Sequence, residues 1–315
     1  MSAGAPSVAP LRPTQRALLE LGQRLRAAGY AFTTITPASH ARVNARAEGA
    51  NARSLRDVFG WNRPFAPEVL PAPIFEAAVR AEALTEEAGL HRSRVRFSTL
   101  GADLFVHSGF PTTEPDAVFF GPDTYRYARY LRQHARTARR VVDVGCGSGA
   151  GAIVLRDRCE QLTLADINPR AIDFAAVNAA LNEAGSVEVV QSDVLRGVPG
   201  AVDLVVSNPP FLVDELERAY RHGGGALGAG LSVRIVAGSI ARLSPGGRLV
   251  LYTASAIVDG EDTFGAAIAP LLDRDDVRAT YEEIDPDVFG EELDRAVYRR
   301  VDRLAVVGLV VDRVV

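Results

Sequence analysis

The chain has 315 residues, 47% of them apolar, and a formal net charge of −4. That length accommodates one large folded unit or, more readily, two, and the apolar share is that of an ordinary globular protein. The mild acidity argues against broad, sequence-independent nucleic-acid binding and leaves room only for a local basic patch. In chain order, residues 1–10 are small and proline-containing and are expected to lack fixed structure. Pro13 then opens a helix over Thr14–Ala28, with apolar Leu18, Leu19, Leu21 and Leu25 and Gly29 as its stop. Residues 30–56 show no apolar period and carry Arg42, Arg46, Arg53 and Arg56 against Glu48. They read as a solvated linker, with a lid or substrate-contact segment as the alternative.

Ser54–Gly60 and Pro73–Ala83 read as two short helices, and Arg94–Thr99 with Ala102–Ser108 as a hairpin around Gly101. Helices followed by a hairpin suggest a small winged-helix-like module over 1–110. Its acidic residues Glu82, Glu86 and Glu87 do not favour DNA. Residues 109–121 form a Pro- and Gly-containing joint. Pro122 and Asp123 start the next helix, which shows Tyr127, Tyr130 and Leu131 on one face.

From residue 139 onward strands and helices alternate. Strands are expected over 140–144, 162–166, 187–191, 202–207, 247–253, 277–284 and 303–311, and helices over 151–158, 169–183, 231–243 and 262–273. This predicts an α/β fold, a doubly wound and mostly parallel seven-stranded sheet, over 111–315. The last two strands have only an acidic loop between them, which implies a terminal antiparallel hairpin.

The chemistry-bearing residues fall at strand ends. Val141–Val144 runs into Gly145-Cys146-Gly147-Ser148-Gly149, a strand, a glycine turn and a helix start. Such a turn lets the backbone approach a ligand, and the helix N-terminus behind it offers free N–H groups. Asp143 places a carboxylate beside the turn, where a pyrophosphate would be repelled and a cationic ligand favoured. The second strand ends in Asp166-Ile167-Asn168-Pro169, about 20 residues past the glycines, where a carboxylate can accept from both hydroxyls of a ribose. Asn168 and Pro169 read as a helix cap. The third strand ends in Gln191-Ser192-Asp193-Val194; Asp193 is placed either to accept from an adenine amino group or to make a simple turn. Ile167 and Val194 can sandwich a flat ring.

The fourth strand ends in Ser207-Asn208-Pro209-Pro210-Phe211. Two consecutive prolines after a buried strand are costly for regular structure, because they remove two donors and fix two φ angles. They stand at a carboxyl end, where α/β sheets place their sites. An amide or arylamine nitrogen is a poor nucleophile because its lone pair is delocalised. Two fixed acceptors can hold both of its N–H bonds, and an aromatic face can stabilise charge developing on it.

The glycine turn and the Asn-Pro-Pro-Phe motif together resemble class I S-adenosylmethionine-dependent methyltransferases that modify planar nitrogens. The resemblance covers about residues 120–315. That family includes N6-adenine and N2-guanine RNA or DNA methyltransferases and the release-factor glutamine methyltransferase. It implies a transferase with a Rossmann-like fold and S-adenosyl-L-methionine as cofactor. The implied cofactor residues are Asp143, Gly145, Gly147, Gly149, Asp166, Ile167, Asp193, Val194 and Asn208. Asn208 and the Pro209 carbonyl would accept from the target NH2, and Phe211 would stack on it. Gly223-Gly224-Gly225 and Gly230–Arg234 resemble the loop and helix after this motif in the glutamine-modifying branch. Ser207 and Phe211 depart from the commoner acidic residue and Tyr.

The acceptor stays open between RNA, DNA, a protein glutamine and a small molecule. The second reading keeps the cofactor site and makes the chain an enzyme of specialised metabolism, with S-adenosylmethionine as methyl donor or as the substrate of an alkyl-transfer cyclisation. The module over 1–110 would serve recognition or act as a lid. Cys146 and Cys159 provide no metal or disulfide framework, so no metal is expected. The N-terminus lacks a leader pattern, and the apolar run Leu304–Val311 is too short to span a bilayer. A cytoplasmic protein without membrane association is expected.

Overall fold

The computed structural model describes residues 10–314, so the expectation for residues 1–10 lies, save Pro10, outside the described residues. Four helices come first: α1 (Pro13–Ala27), α2 (Pro37–Asn44), α3 (Leu55–Phe59) and α4 (Ala72–Arg80). Two hairpins follow, β1 (Leu84–Glu87) with β2 (Leu90–Ser93), and β3 (Val95–Leu100) with β4 (Asp103–Ser108). Gly101 turns the second hairpin at φ +66°.

Two of these elements differ from the sequence reading. Part of the expected linker is the helix α2, capped by Thr36, whose hydroxyl accepts from the Ser39 N–H, and started by Pro37. Its single buried side chain is His40, so no apolar period betrays it. The hairpin β1–β2 buries only Ser93, so alternation does not mark it either.

The second half begins with α5 (Pro122–His134), β5 (Ala138–Val144), α6 (Ala150–Ile153), β6 (Cys159–Asp166), α7 (Pro169–Leu181) and β7 (Val187–Gln191). It continues with β8 (Val202–Ser207), α8 (Gly230–Arg242), β9 (Leu243–Val258), the two-residue β10 (Glu261–Asp262), α9 (Thr263–Leu272), β11 (Val277–Asp285) and β12 (Arg303–Arg313). The strand order is β11-β12-β9-β8-β5-β6-β7, with β10 appended to β9. The four pairings from β9 to β7 are parallel; β12 is antiparallel to both β9 and β11, which gives the terminal hairpin. Chain order reverses between β5 and β8, and such a switch point opens a crevice at the strands' carboxyl ends.

Each inner strand alternates its burial between two helix layers. Val141, Leu162, Leu164, Leu204 and Val206 pack with Tyr127, Leu131, Ile153 and Ala175. Val142, Val144, Val205, Leu249 and Leu251 pack with Ile235, Val236, Phe264 and Ile268 on the other side. This is why the strands read as continuous apolar runs. The N-terminal elements are not free of the sheet. Leu18, Leu21, Phe97, Leu104 and Val106 share one core with Ala171, Phe174, Val177 and Leu181 of α7. The Asn178 side chain ties the two halves, accepting from the Val106 N–H at 2.7 Å and donating to the Val106 and Ser148 carbonyls.

Candidate active site

Register places the functional strand ends side by side. Val144 pairs with Ala165 on one flank and with Ser207 on the other, and the Ser207 hydroxyl donates to the Val144 carbonyl at 2.6 Å. The residues that follow, Gly145, Asp166 and Asn208, therefore emerge together. They border a cavity of about 240 Å³. Of the sequence-assigned residues, Asp143, Gly145, Gly147, Asp166, Ile167, Asp193, Val194, Asn208, Pro209 and Phe211 line it. Gly149 does not: with φ +76° it is the N-cap of α6, and it shapes the turn from behind. Gly145 (φ +68°) and Gly147 (φ +54°) adopt left-handed backbone that a Cβ would strain.

The two carboxylates at the glycine turn organise it. Asp166 accepts from the Gly147 N–H and the Asn168 N–H, both at 2.9 Å. Burial raises its pKa, against the lowering effect of those N–H groups. Asp143 accepts from the Ala152 N–H at 3.0 Å and lies 3.5 Å from the Tyr127 hydroxyl. Gly151 makes that geometry possible, since a Cβ there would fall 2.5 Å from the Tyr127 ring and 2.8 Å from the Asp143 carboxylate.

Burial and the neighbouring Asp166 charge push the Asp143 pKa from 3.8 up to about 7. A carboxyl whose pKa is higher folded than unfolded holds its proton more tightly in the native state. Its contribution to stability is greatest below pH 3.8 and is lost as pH rises toward 7. Asp143→Asn keeps an acceptor for Ala152 and removes the titration. Urea unfolding at pH 5, 6 and 7 should show the variant gaining on the wild type as pH rises. A pH-independent difference would contradict this account.

Asp193 is more engaged than its sequence reading implies. It pairs with Arg234 at 2.6 Å and with Arg196 at 3.2 Å while lining the cavity. Ile167 is 61% exposed at the cavity edge, an apolar surface with no protein cover. On the other flank, the Asn208 Oδ1 is buried and has no hydrogen-bond partner. An unpaired buried acceptor is costly in a native protein, so a donor supplied by a ligand fits this position.

The segment after Phe211 folds back beneath the motif. Gly223 donates to the Leu212 carbonyl at 2.8 Å, and a Cβ on it would come within 2.6 Å of the Pro210 carbonyl. Asp214 anchors this loop by pairing with Arg218 at 2.5 Å and Arg221 at 3.4 Å, and its pKa falls to about 2 because of Arg218. Arg221 also pairs with Glu292, and Tyr298 accepts from the Val213 N–H at 2.7 Å.

Sequence reasoning missed the aromatic wall. Phe119 and Tyr220 stack with ring centres 5.9 Å apart, and Phe211 lies 5.7 Å from Phe289; all four line the cavity. Phe211 was legible from its motif and the Phe119 stretch as the lead-in to α5, but Tyr220 and Phe289 carry no signal, and the pairing joins three stretches far apart in sequence. Cys146 is buried, and burial with the Asp166 and Asp143 charges raises its thiol well above the usual range, so it is not poised as a nucleophile. Among the described residues no cluster of three or more His, Cys, Asp or Glu side chains is placed to hold a metal, and no helix is long and apolar enough to cross a membrane.

A doubly wound sheet with a glycine turn, a carboxylate at the end of its second strand and Asn-Pro-Pro-Phe after the fourth is the fold of a class I methyltransferase. Residues 127–259 match the family model described as Methyltransferase small domain. The release factor glutamine methyltransferase of Cereibacter sphaeroides is 33% identical over 209 residues, 61% of this chain and 70% of that protein. The ribosomal RNA small subunit methyltransferase C of Chromohalobacter salexigens is 38% identical over 132 residues, 40% of this chain and 36% of that protein. The chain belongs to the methyltransferase small domain family of class I S-adenosylmethionine-dependent methyltransferases. Other relatives match over shorter stretches, and against several the chain spans only 31% to 44% of the relative's length. The fold is also that of Trm5b from Pyrococcus abyssi, with a TM-score of 0.50 at 16% identity, covering 79% of this chain and 69% of that one.

Proposed function

We propose that this chain methylates a planar nitrogen of RNA or of a protein glutamine, with S-adenosylmethionine as donor. The observation that carries the proposal is the buried, unpartnered Asn208 Oδ1 at the cavity, beside Pro209 and Phe211. The cavity residues fit the cofactor. Asp166 would accept from its ribose hydroxyls, Asp193 from its adenine amino group while sharing its oxygens with Arg234 and Arg196, and Ile167 and Val194 would flank the ring. When bound, the cofactor supplies an electrophilic methyl group on a sulfonium.

The chain's own residues supply position. Asn208 Oδ1 accepts one N–H of the acceptor and the Pro209 carbonyl accepts the other, so the nitrogen's lone pair is turned toward the donor. Phe211 stacks on the planar group and stabilises positive charge as it develops there. Orientation of this kind contributes roughly 7–11 kcal/mol at best, which is why no strong base is needed before transfer. The names of the relatives, which act on a release factor glutamine and on ribosomal RNA, support this acceptor class, and a cytoplasmic location belongs to the same reading. The test is the coproduct: S-adenosylhomocysteine is expected from methyl transfer, and methylthioadenosine would instead favour the alkyl-transfer cyclisation.

We assign residues 1–110 to recognition of the acceptor, or to a lid, and 111–315 to catalysis. Within the joint, Pro111 and Thr113–Asp116 are exposed, whereas Ala117 and Val118 are buried. Limited proteolysis should cut within 111–116, with the two fragments still copurifying because α7 shares the N-terminal core. First cuts confined to 140–310 would contradict this boundary.

A further inference from the structure

Arg96, on β3, is only 5% exposed. A buried guanidinium ordinarily has a carboxylate beside it, because an unpaired charge away from water is costly. Here the charged and titratable groups acting on it are Tyr30 and Tyr125, and no carboxylate of the described residues pairs with it. Its contacts are a 3.4 Å hydrogen bond from Nη2 to His40 Nδ1 and the face of Phe32, with the guanidinium carbon 5.3 Å from the ring centre. Nε is buried without any partner.

Among the described residues, the groups in contact around Arg96 are neutral. The Nε2–H of His40 faces the Trp61 carbonyl at 2.9 Å, which leaves Nδ1 as the acceptor for Arg96. Thr34, Ser98 and His107 form a buried neutral chain, with 2.5 Å between the hydroxyls and 2.8 Å from Ser98 Oγ to His107 Nε2. Burial lowers the pKa of His40 to about 4 and lowers that of His107 as well, and the Arg96 charge pushes both the same way. Arg96 itself falls to about 10 through burial, so it stays charged at neutral pH.

Arg96 lines a second cavity, together with Thr34, Pro37, His107 and Phe119. Its volume is about 10 Å³, room for one water-sized particle. Pro37, Val118 and Phe119 line both this cavity and the large one. We propose that the Arg96 cavity is a binding site for a single halide-sized monovalent anion. The ion neutralises the guanidinium and accepts from the donors that the protein leaves unmet. It also braces the wall that Pro37, Val118 and Phe119 present to the main cavity. The proposal does not depend on the identity of the methyl acceptor.

The test is the melting temperature of the full chain without cofactor, in a sodium chloride series balanced with sodium gluconate to constant ionic strength. A ligand that binds only the folded state raises stability by mass action. The expected result is a saturable rise of about 2–4 °C with chloride, reproduced by bromide. Arg96→Met should melt at the same temperature in both salts. Should that variant fail to fold, crystals of the wild type grown in sodium bromide decide, through an anomalous bromine peak beside Arg96. Identical wild-type melting in chloride and gluconate, or bromide crystals with no peak at Arg96, would overturn the proposal and leave the cavity to water.

Discussion

Asn208→Ala is expected to lower the single-turnover rate on the acceptor by about 10²-fold or more, the scale seen when one transition-state hydrogen-bond partner is removed. Cofactor affinity should change far less, because the proposed role of Asn208 Oδ1, which has no partner in the protein, is to accept from the acceptor's N–H. The same fact predicts that the variant stays folded, since no internal hydrogen bond of Oδ1 is broken. Phe211→Leu keeps most of the bulk and removes the π face, so acceptor binding and rate should weaken together. Melting temperature measured beside single-turnover rate separates chemistry from stability. A purely structural role would lower both in proportion to folded protein. A folded Asn208→Ala variant with near-normal turnover would end the planar-nitrogen mechanism and favour the small-molecule alternative.

Asp166→Ala should carry the second large effect, this time on binding. Loss of the ribose acceptor, with partners left unpaired, costs about 1–3 kcal/mol, or roughly 5- to 150-fold in affinity. The side chain also holds the Gly147 and Asn168 N–H groups, so the glycine turn should loosen and the melting temperature fall. Asp166→Asn retains one acceptor oxygen and should fall between the two. Calorimetry with S-adenosylmethionine reads the affinity directly, and unchanged binding in the alanine variant would remove Asp166 from the site.

The sheet and the motif-bearing turns were legible because each rests on a local signal. Val141–Val144 and Val202–Ser207 are apolar on both faces, as inner parallel strands must be, and they end in residues that cannot continue a strand. Other features are products of the tertiary fold. Residues 37–44 bury only His40, so the helix is held by its Thr36 cap and by contacts that no period announces. Strand β9 begins at Leu243 rather than near 247, because Ser244-Pro245-Gly246-Gly247 reads locally as a turn. The arginines on Asp193 arrive from α8 and from the turn after β7, and the paired aromatics at the cavity from three separate stretches. Nothing local in the sequence marks Arg96; the fold buries it with no carboxylate of the described residues paired to it.

The central claim is that a methyl group moves from S-adenosylmethionine to a planar nitrogen held by Asn208 and Pro209. It is tested most directly by methyl-labelled S-adenosylmethionine incubated with the full chain and with ribosomal RNA or a release factor as acceptor. Mass spectrometry then locates the label and identifies the coproduct. The account predicts label on an amino or amide nitrogen, one S-adenosylhomocysteine for each methyl transferred, and loss of both signals in Asn208→Ala. Label on carbon or oxygen, or methylthioadenosine as the coproduct, would contradict it.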